Sequence, residues 1–184
     1  KWKLYLARTN PILAAKKNNG KWCHIISTTF AIGGHTRLFK ELIQGIAALK
    51  IKQSVIITQK DKAKFRKTNL DHEMNVYLLS GNLAKRSIEL YEKAVGHDVV
   101  VLHIHPNDIG AALVARKLRT EGTKVLFINH ADHAFSFGTG ASDAVMEISA
   151  TGWKITEAFR KIRSQNFLGI PFIPHNKSNG ITIA

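Results

Sequence analysis

The chain has 184 residues, 45% hydrophobic and 22% charged, with apolar residues spread along its whole length; this excludes the disordered and fibrous classes and suffices for one autonomous core. Its formal charge of +14 favours an anionic partner without choosing among a phosphorylated substrate, an acidic lipid surface and nucleic acid. The single cysteine, Cys23, rules out a disulfide within the chain, and no apolar run nears the ~20 residues that span a bilayer, so a reducing, cytoplasmic setting is expected.

Residues 1–20 stand apart from the rest of the chain. Trp2, Leu4 and Leu6 alternate like a strand before Pro11 and the Asn18-Asn19-Gly20 turn signal, which fits an edge strand or an extension from an upstream domain. Beyond them, short apolar and β-branched runs recur between segments of helical period. Strands are expected at His24 to Ser27, Ser54 to Thr58, Asn75 to Leu79, Asp98 to His103 and Lys124 to Asn129, with a sixth at Val145 to Ser149. Cys23, among strand-like neighbours, reads as a buried small hydrophobe and not a nucleophile. After the first strand, Leu38, Phe39, Leu42, Ile43 and Ile46 fall on one helical face. Ala84, Ile88, Tyr91 and Val95 form a similar stripe after the third strand, and Ile109, Ala112, Leu113 and Leu118 after the fourth, with Gly122 as its stop. The link across 59–74 has no clear period. A last helix is expected around Ile155, Ala158, Phe159 and Ile162, with Lys154, Arg160, Lys161 and Arg163 on its other face. The order predicts an α/β fold: a Rossmann-like, doubly wound, mainly parallel sheet with helices on both faces, in a single domain.

Ligands of such sheets sit beyond the carboxyl ends of the strands, and three polar clusters fall there. Gly33-Gly34-His35-Thr36-Arg37 opens the first helix, where two glycines let a backbone approach a ligand and the helix terminus offers N–H donors to an anion. The spacing is not G-x-G-x-x-G, so a dinucleotide cofactor is not expected. His103-Ile104-His105-Pro106-Asn107-Asp108 ends the fourth strand. Residues two apart share a face, so the two histidines can point together, with Pro106 closing the strand, His105 better placed to face a ligand, and Asn107 or Asp108 capping the next helix. Asn129-His130-Ala131-Asp132-His133 comes directly after the fifth strand and groups more donors and acceptors than a plain connection needs.

Taken together these motifs resemble the N-terminal domain of GT-B glycosyltransferases, particularly the family 4-like group, over roughly residues 22–176. The order carries the likeness: a strand running into Gly33-Gly34, the run Val99-Val100-Val101-Leu102-His103-Ile104-His105-Pro106, the strand and polar loop of Val125 to His130, Ser142-Asp143-Ala144-Val145-Met146-Glu147-Ile148-Ser149, and Ile173-Pro174-His175-Asn176. The resemblance implies that residues 21–172 form the acceptor-side domain and that 173–184 begin an interdomain linker. It also implies that a second, C-terminal Rossmann-like domain binds most of the donor and carries the family's paired glutamates, so this chain alone is expected to be inactive. Gly33 and Gly34 would lie near the donor diphosphate, with His35 and Arg37 flanking, while His105 would contact the donor sugar at the reacting centre as an orienting and electrostatic group. His130, Asp132 and His133 would shape the acceptor side. The implied partners are a nucleotide-diphosphate sugar, as substrate with no further cofactor, and an acceptor whose nature the motifs do not specify.

The residues leave two alternatives open. One is a non-catalytic module that binds polyanions or an anionic membrane surface through the basic face from Trp153 to Arg163; peripheral docking at the inner membrane face could also accompany sugar transfer. No aromatic-basic motif accompanies the charge, so nucleic acid is not the expected partner. The other is a metal-dependent hydrolase using His103, His105, His130 and His133; the resemblance of His130-Ala131-Asp132-His133 to H-x-H-x-D-H is broken by Ile128, and no metal is expected.

Overall fold

In the computed structural model, residues 20–30, 33–59, 74–162 and 164–168 are described. Among them the strands are β1 (Lys21–Ile26), β2 (Lys52–Ile57), β3 (Asn75–Leu78), β4 (Val99–His103), β5 (Lys124–Asn129), β6 (Ala144–Glu147) and β7 (Gln165–Phe167). They form one sheet in the order β3-β2-β1-β4-β5-β6-β7, every pair parallel. Central strands of a parallel sheet are covered on both faces, which is why β1, β2, β4 and β5 are buried along most of their length without alternation.

The helices are α1 (Gly34–Ala47), α2 (Leu83–Ala94), α3 (Ile109–Thr120), the short α4 (Phe137–Ala141) and α5 (Ala150–Ile155). Leu38, Phe39, Ile43 and Ile46 of α1 pack on one face of the sheet, with Ile26, Val55 and Val101. Leu90 and Ala94 of α2 and Ala111, Ala115 and Leu118 of α3 pack on the other, with Cys23, Ile25 and Leu102. The fold is therefore the doubly wound α/β sheet that the sequence predicts. Cys23 lies at its centre with no exposed surface, and burial pushes its thiol up to about 12.

Two predicted helical stripes are rotated. Ile88 and Val95 are 62% and 46% exposed, whereas Leu90 and Ala94 are buried; on α3, Leu113 is 60% exposed and the small residues Gly110, Ala111 and Ala115 face inward. Close packing of α2 on α3 selects size over hydrophobicity here. A Cβ at Gly110 would sit 2.8 Å from Leu83 Cδ1 and 3.1 Å from Ser87 Oγ, so a bulkier face of α3 does not fit.

The C-terminal part also departs from expectation. β6 stops at Glu147, and Ser149 caps α5 by accepting from the Gly152 N–H at 2.8 Å. α5 passes into a π-helical turn, Thr156–Arg160, which ends at Lys161 in the left-handed conformation (φ 53°). Ile162 therefore lies beyond the helix, and Arg160 leaves the basic face expected of it, turning inward to the carbonyls of Asp132 and Ala134, at 3.3 and 2.5 Å. β7 is an addition to the strands that the sequence predicts. The expectations for residues 1–19, the link 60–73, Arg163 and the linker 173–184 lie outside the described residues.

Candidate functional site

The strand order reverses between β1 and β4, and the loops leaving these two strands diverge around a crevice at their carboxyl ends. Gly33 starts α1 with φ 153° and ψ 144°, a conformation that an L side chain rarely adopts, and no side chain caps the helix. No described atom lies within 4 Å of a Cβ built at Gly33 or Gly34. Gly33 and Gly34 are exposed, and the first turn of this 14-residue helix carries N–H groups toward which an anion is favoured.

Histidines from three loops meet beside this terminus. His35, in the first turn of α1, stacks on His130 from the β5 loop with ring centroids 3.9 Å apart and planes 14° from parallel. His105 lies 5.7 Å from His35 and 6.4 Å from His130, and stacks at 6.3 Å on the exposed Phe30. Beneath them, in a layer with Phe39, lie the buried His24 and His103. Alternation along β4 accounts for this: Leu102 and Ile104 enter the core on the α2–α3 side, so His103 faces the α1 side. His103 is enclosed, and Pro106 follows a half-buried His105 at the mouth.

Hydrogen bonding sets the tautomers. Gln53 Nε2 donates to the Ile43 carbonyl (3.1 Å), so Gln53 Oε1 accepts from His24 Nε2 (2.9 Å) and His24 Nδ1 accepts from His103 Nε2 (3.0 Å). His103 Nδ1 is left as a buried acceptor without a described partner. Likewise His35 Nε2 donates to the His103 carbonyl (3.0 Å) and its buried Nδ1 is left as an acceptor, while His130 Nδ1 donates to the Ile128 carbonyl (3.3 Å). Desolvation holds these rings uncharged. It lowers His24 to about 4; with the neighbouring His130 and His105 it lowers His35 to about 3; it lowers His130 to about 4; and it takes His103 well below its ordinary range. The crevice is thus lined by uncharged imidazoles beside the N-terminus of α1.

Asp108 fixes the mouth of the crevice. Its Oδ2 accepts from Ser27 Oγ and from Thr58 Oγ1, each at 2.6 Å, while Oδ1 accepts from the Ala111 N–H at 3.2 Å and caps α3. Ser27 Oγ in turn accepts from the His105 N–H at 2.8 Å. One buried carboxylate therefore ties together the ends of β1, β2 and β4. Asp108→Ala is expected to cost about 2–4 kcal/mol, because two buried hydroxyls and a helix cap lose their acceptor; a urea melt within about 0.5 kcal/mol of wild type would contradict this lock.

The other expected site residues separate. Arg37 is exposed on α1. Asp132 leaves the crevice to accept from Ser149 Oγ at 2.5 Å, and His133 is exposed beside it, with Nδ1 3.7 Å from Asp132 Oδ1. Glu147, fully buried at the end of β6, accepts from Asn129 Nδ2 at 2.8 Å. Gly152 is constrained by both acids: its Cβ would lie 2.6 Å from Glu147 Oε2 and 2.8 Å from Asp132 Cβ. Sequence reasoning missed His24, Ser27, Thr58 and the structural tie of Asp132 to Ser149; the serine-to-serine spacing from Ser142 to Ser149 was the one signal for the last. Among the described residues, no three His, Cys, Asp or Glu side chains are placed to share a metal ion, and no helix is long and apolar enough to cross a membrane.

No family model and no curated protein matches this chain. Among solved structures it is similar to the lipopolysaccharide outer core galactosyltransferase WaaB in its apo form, with a TM-score of 0.63 and 17% identity, over 81% of this chain and 45% of that one. This chain thus matches less than half the length of that neighbour, and the likeness shows the shared Rossmann-like fold.

Proposed function

We propose that this chain is the acceptor-side, N-terminal half of a GT-B-type glycosyltransferase, transferring a sugar from a nucleotide-diphosphate donor to an acceptor. The observation that carries it is the crevice at the strand-order reversal, where the uncapped N-terminus of α1 meets the imidazoles of His35, His105 and His130. The helix terminus suits a diphosphate, and the acceptor nitrogens suit sugar hydroxyls. His105, at the mouth, acts as an orienting and electrostatic group, with Gly33 and Gly34 admitting the diphosphate. The similar fold of a galactosyltransferase supports this reading. A second Rossmann-like domain, facing the crevice, would hold most of the donor.

In this reading the bond between sugar and diphosphate breaks as the acceptor oxygen takes the sugar, the leaving diphosphate at the α1 terminus accepts the proton of the acceptor hydroxyl, and His130 borders the acceptor. The test is release of nucleoside diphosphate by the full-length protein across a panel of nucleotide-diphosphate sugars, with and without candidate acceptors. One donor should be consumed, and titration with its nucleoside diphosphate should perturb the His35 and His130 ring resonances. A folded protein that consumes no donor and binds no nucleoside diphosphate would falsify the assignment.

A further inference from the structure

A second concave surface lies on the far side of the β5 loop. The connections after β1, β3 and β4 carry helices of 14, 12 and 12 residues, but β5 returns to β6 through α4, which has five residues. Gly138 lets α4 lie flat on the sheet, since a Cβ there would sit 2.6 Å from the Phe127 ring. The short helix leaves α3 and the π-helical turn standing as two walls around a cavity of about 700 Å³. That volume is in the range of a small-molecule site.

The walls are apolar: Ile109 and Leu113 from α3, Phe135 and Phe137 from the loop, and Ile155 and Phe159 opposite. Leu113, Phe135 and Phe159 are 60%, 74% and 81% exposed, and apolar surface grouped in this way marks a binding surface. Phe135 and Phe137 meet edge to face at 5.2 Å, bracing one rim. Of the three Asp and Arg side chains on the lining, two are the guanidinium groups of Arg116 and Arg160, against the one carboxylate of Asp132. Arg116 has no ion-pair partner among the described residues, and Arg160 is held only by the uncharged groups of Asp132 O, Ala134 O and Thr156 Oγ1. The lining carboxylate, Asp132, is engaged by Ser149.

We infer that this groove binds the apolar chain of an anionic amphiphile, its chain between Leu113 and Phe159 and its acidic head against Arg116 and Arg160. A second copy of the protein would bring like guanidinium groups to the same rim on a chain of charge +14, so the sign favours a ligand of opposite charge. Asp132 and His133 line this groove while His130, in the same loop, lines the histidine crevice. One loop therefore borders both cavities, and an acceptor role for the amphiphile rests on the sugar-transfer reading.

The binding itself is tested without any transfer assay. Dodecyl phosphate, kept below its micelle concentration, is titrated into the full-length protein by calorimetry, with inorganic phosphate and dodecyl maltoside as controls. Dodecyl phosphate should bind at least about tenfold more tightly than either control. Leu113→Ser and Phe159→Ser should each weaken it about tenfold with the thermal melt unchanged, since both side chains are exposed in the free protein. Arg116→Gln should weaken dodecyl phosphate and leave dodecyl maltoside unaffected. Four results overturn the inference: unaltered affinity in the Leu113→Ser, Phe159→Ser double variant; inorganic phosphate binding as tightly; binding only to anionic vesicles and never to the monomeric amphiphile; or the double variant converting a dimer to a monomer. A protein that binds dodecyl phosphate yet consumes no nucleotide sugar keeps the groove assignment and loses the transferase one.

Discussion

In the full-length protein, His105→Ala is expected to reduce sugar transfer by about 10²-fold or more, the scale of losing one positioned electrostatic contact, while leaving the thermal melt in place. The second half of that expectation comes from how the residue is held. Its backbone is anchored to Ser27 by main-chain N–H, which alanine keeps, and its ring lies at the mouth beside the exposed Phe30, outside the core. His103→Ala should behave oppositely. It removes the donor to His24 Nδ1 and the ring edge packed on Phe39, at a cost of about 1–3 kcal/mol in stability. If transfer survives His105→Ala but collapses in a well-folded His103→Ala protein, the roles given to these two histidines are reversed.

Mild acid should destabilise the protein. His24, His35, His103 and His130 are all depressed by burial, to about 4, about 3, well below the ordinary value and about 4 respectively. In the unfolded chain each returns to about 6.5. Between those limits the unfolded state binds more protons, so stability is complete above about pH 6.5 and is lost as pH falls toward about 4. At pH 5.5 each such group removes about 1.4 kcal/mol: about 3 kcal/mol from the fully buried pair His24 and His103, and about 6 if His35 and His130 contribute in full. A domain of ordinary stability has about 5–15 kcal/mol to lose. Urea titrations at pH 7.5 and 5.5 should therefore differ by at least about 3 kcal/mol, before most carboxylates titrate. Equal stabilities at the two pH values would show that these rings are not buried neutral.

The doubly wound sheet was legible because strands covered on both faces carry short apolar stretches without alternation, such as Val55-Ile56-Ile57, Val99 to Leu102 and Val125 to Ile128. β7 was not, because Gln165-Asn166-Phe167 is a short polar edge whose pairing with β6 is decided by the backbone. The last helix was overextended because its apolar period runs on to Ile162, while the stop is a lysine, Lys161, in a conformation that sequence associates with glycine. At the site, Pro106 marked the end of β4 and separated His105 from His103. Nothing marked His24: only the parallel pairing of β1 with β4 sets its ring against a histidine 79 positions away. His130, Asp132 and His133 could be placed in one loop from their order, but not divided between two cavities. That division depends on Ser149 capturing the Asp132 carboxylate, a contact across 17 positions.

The placement of Cys23 has a kinetic consequence. Its sulfur sits in an interior strand of the sheet with no exposed surface and is the only thiol in the chain. Thiolate is the species that reacts with disulfide reagents, so the native molecule is silent toward them until β1 separates from its neighbours. When reagent is abundant, the colour released by an aromatic disulfide counts each molecule once, at the moment it opens, and the exponential that results is the native-state lifetime itself.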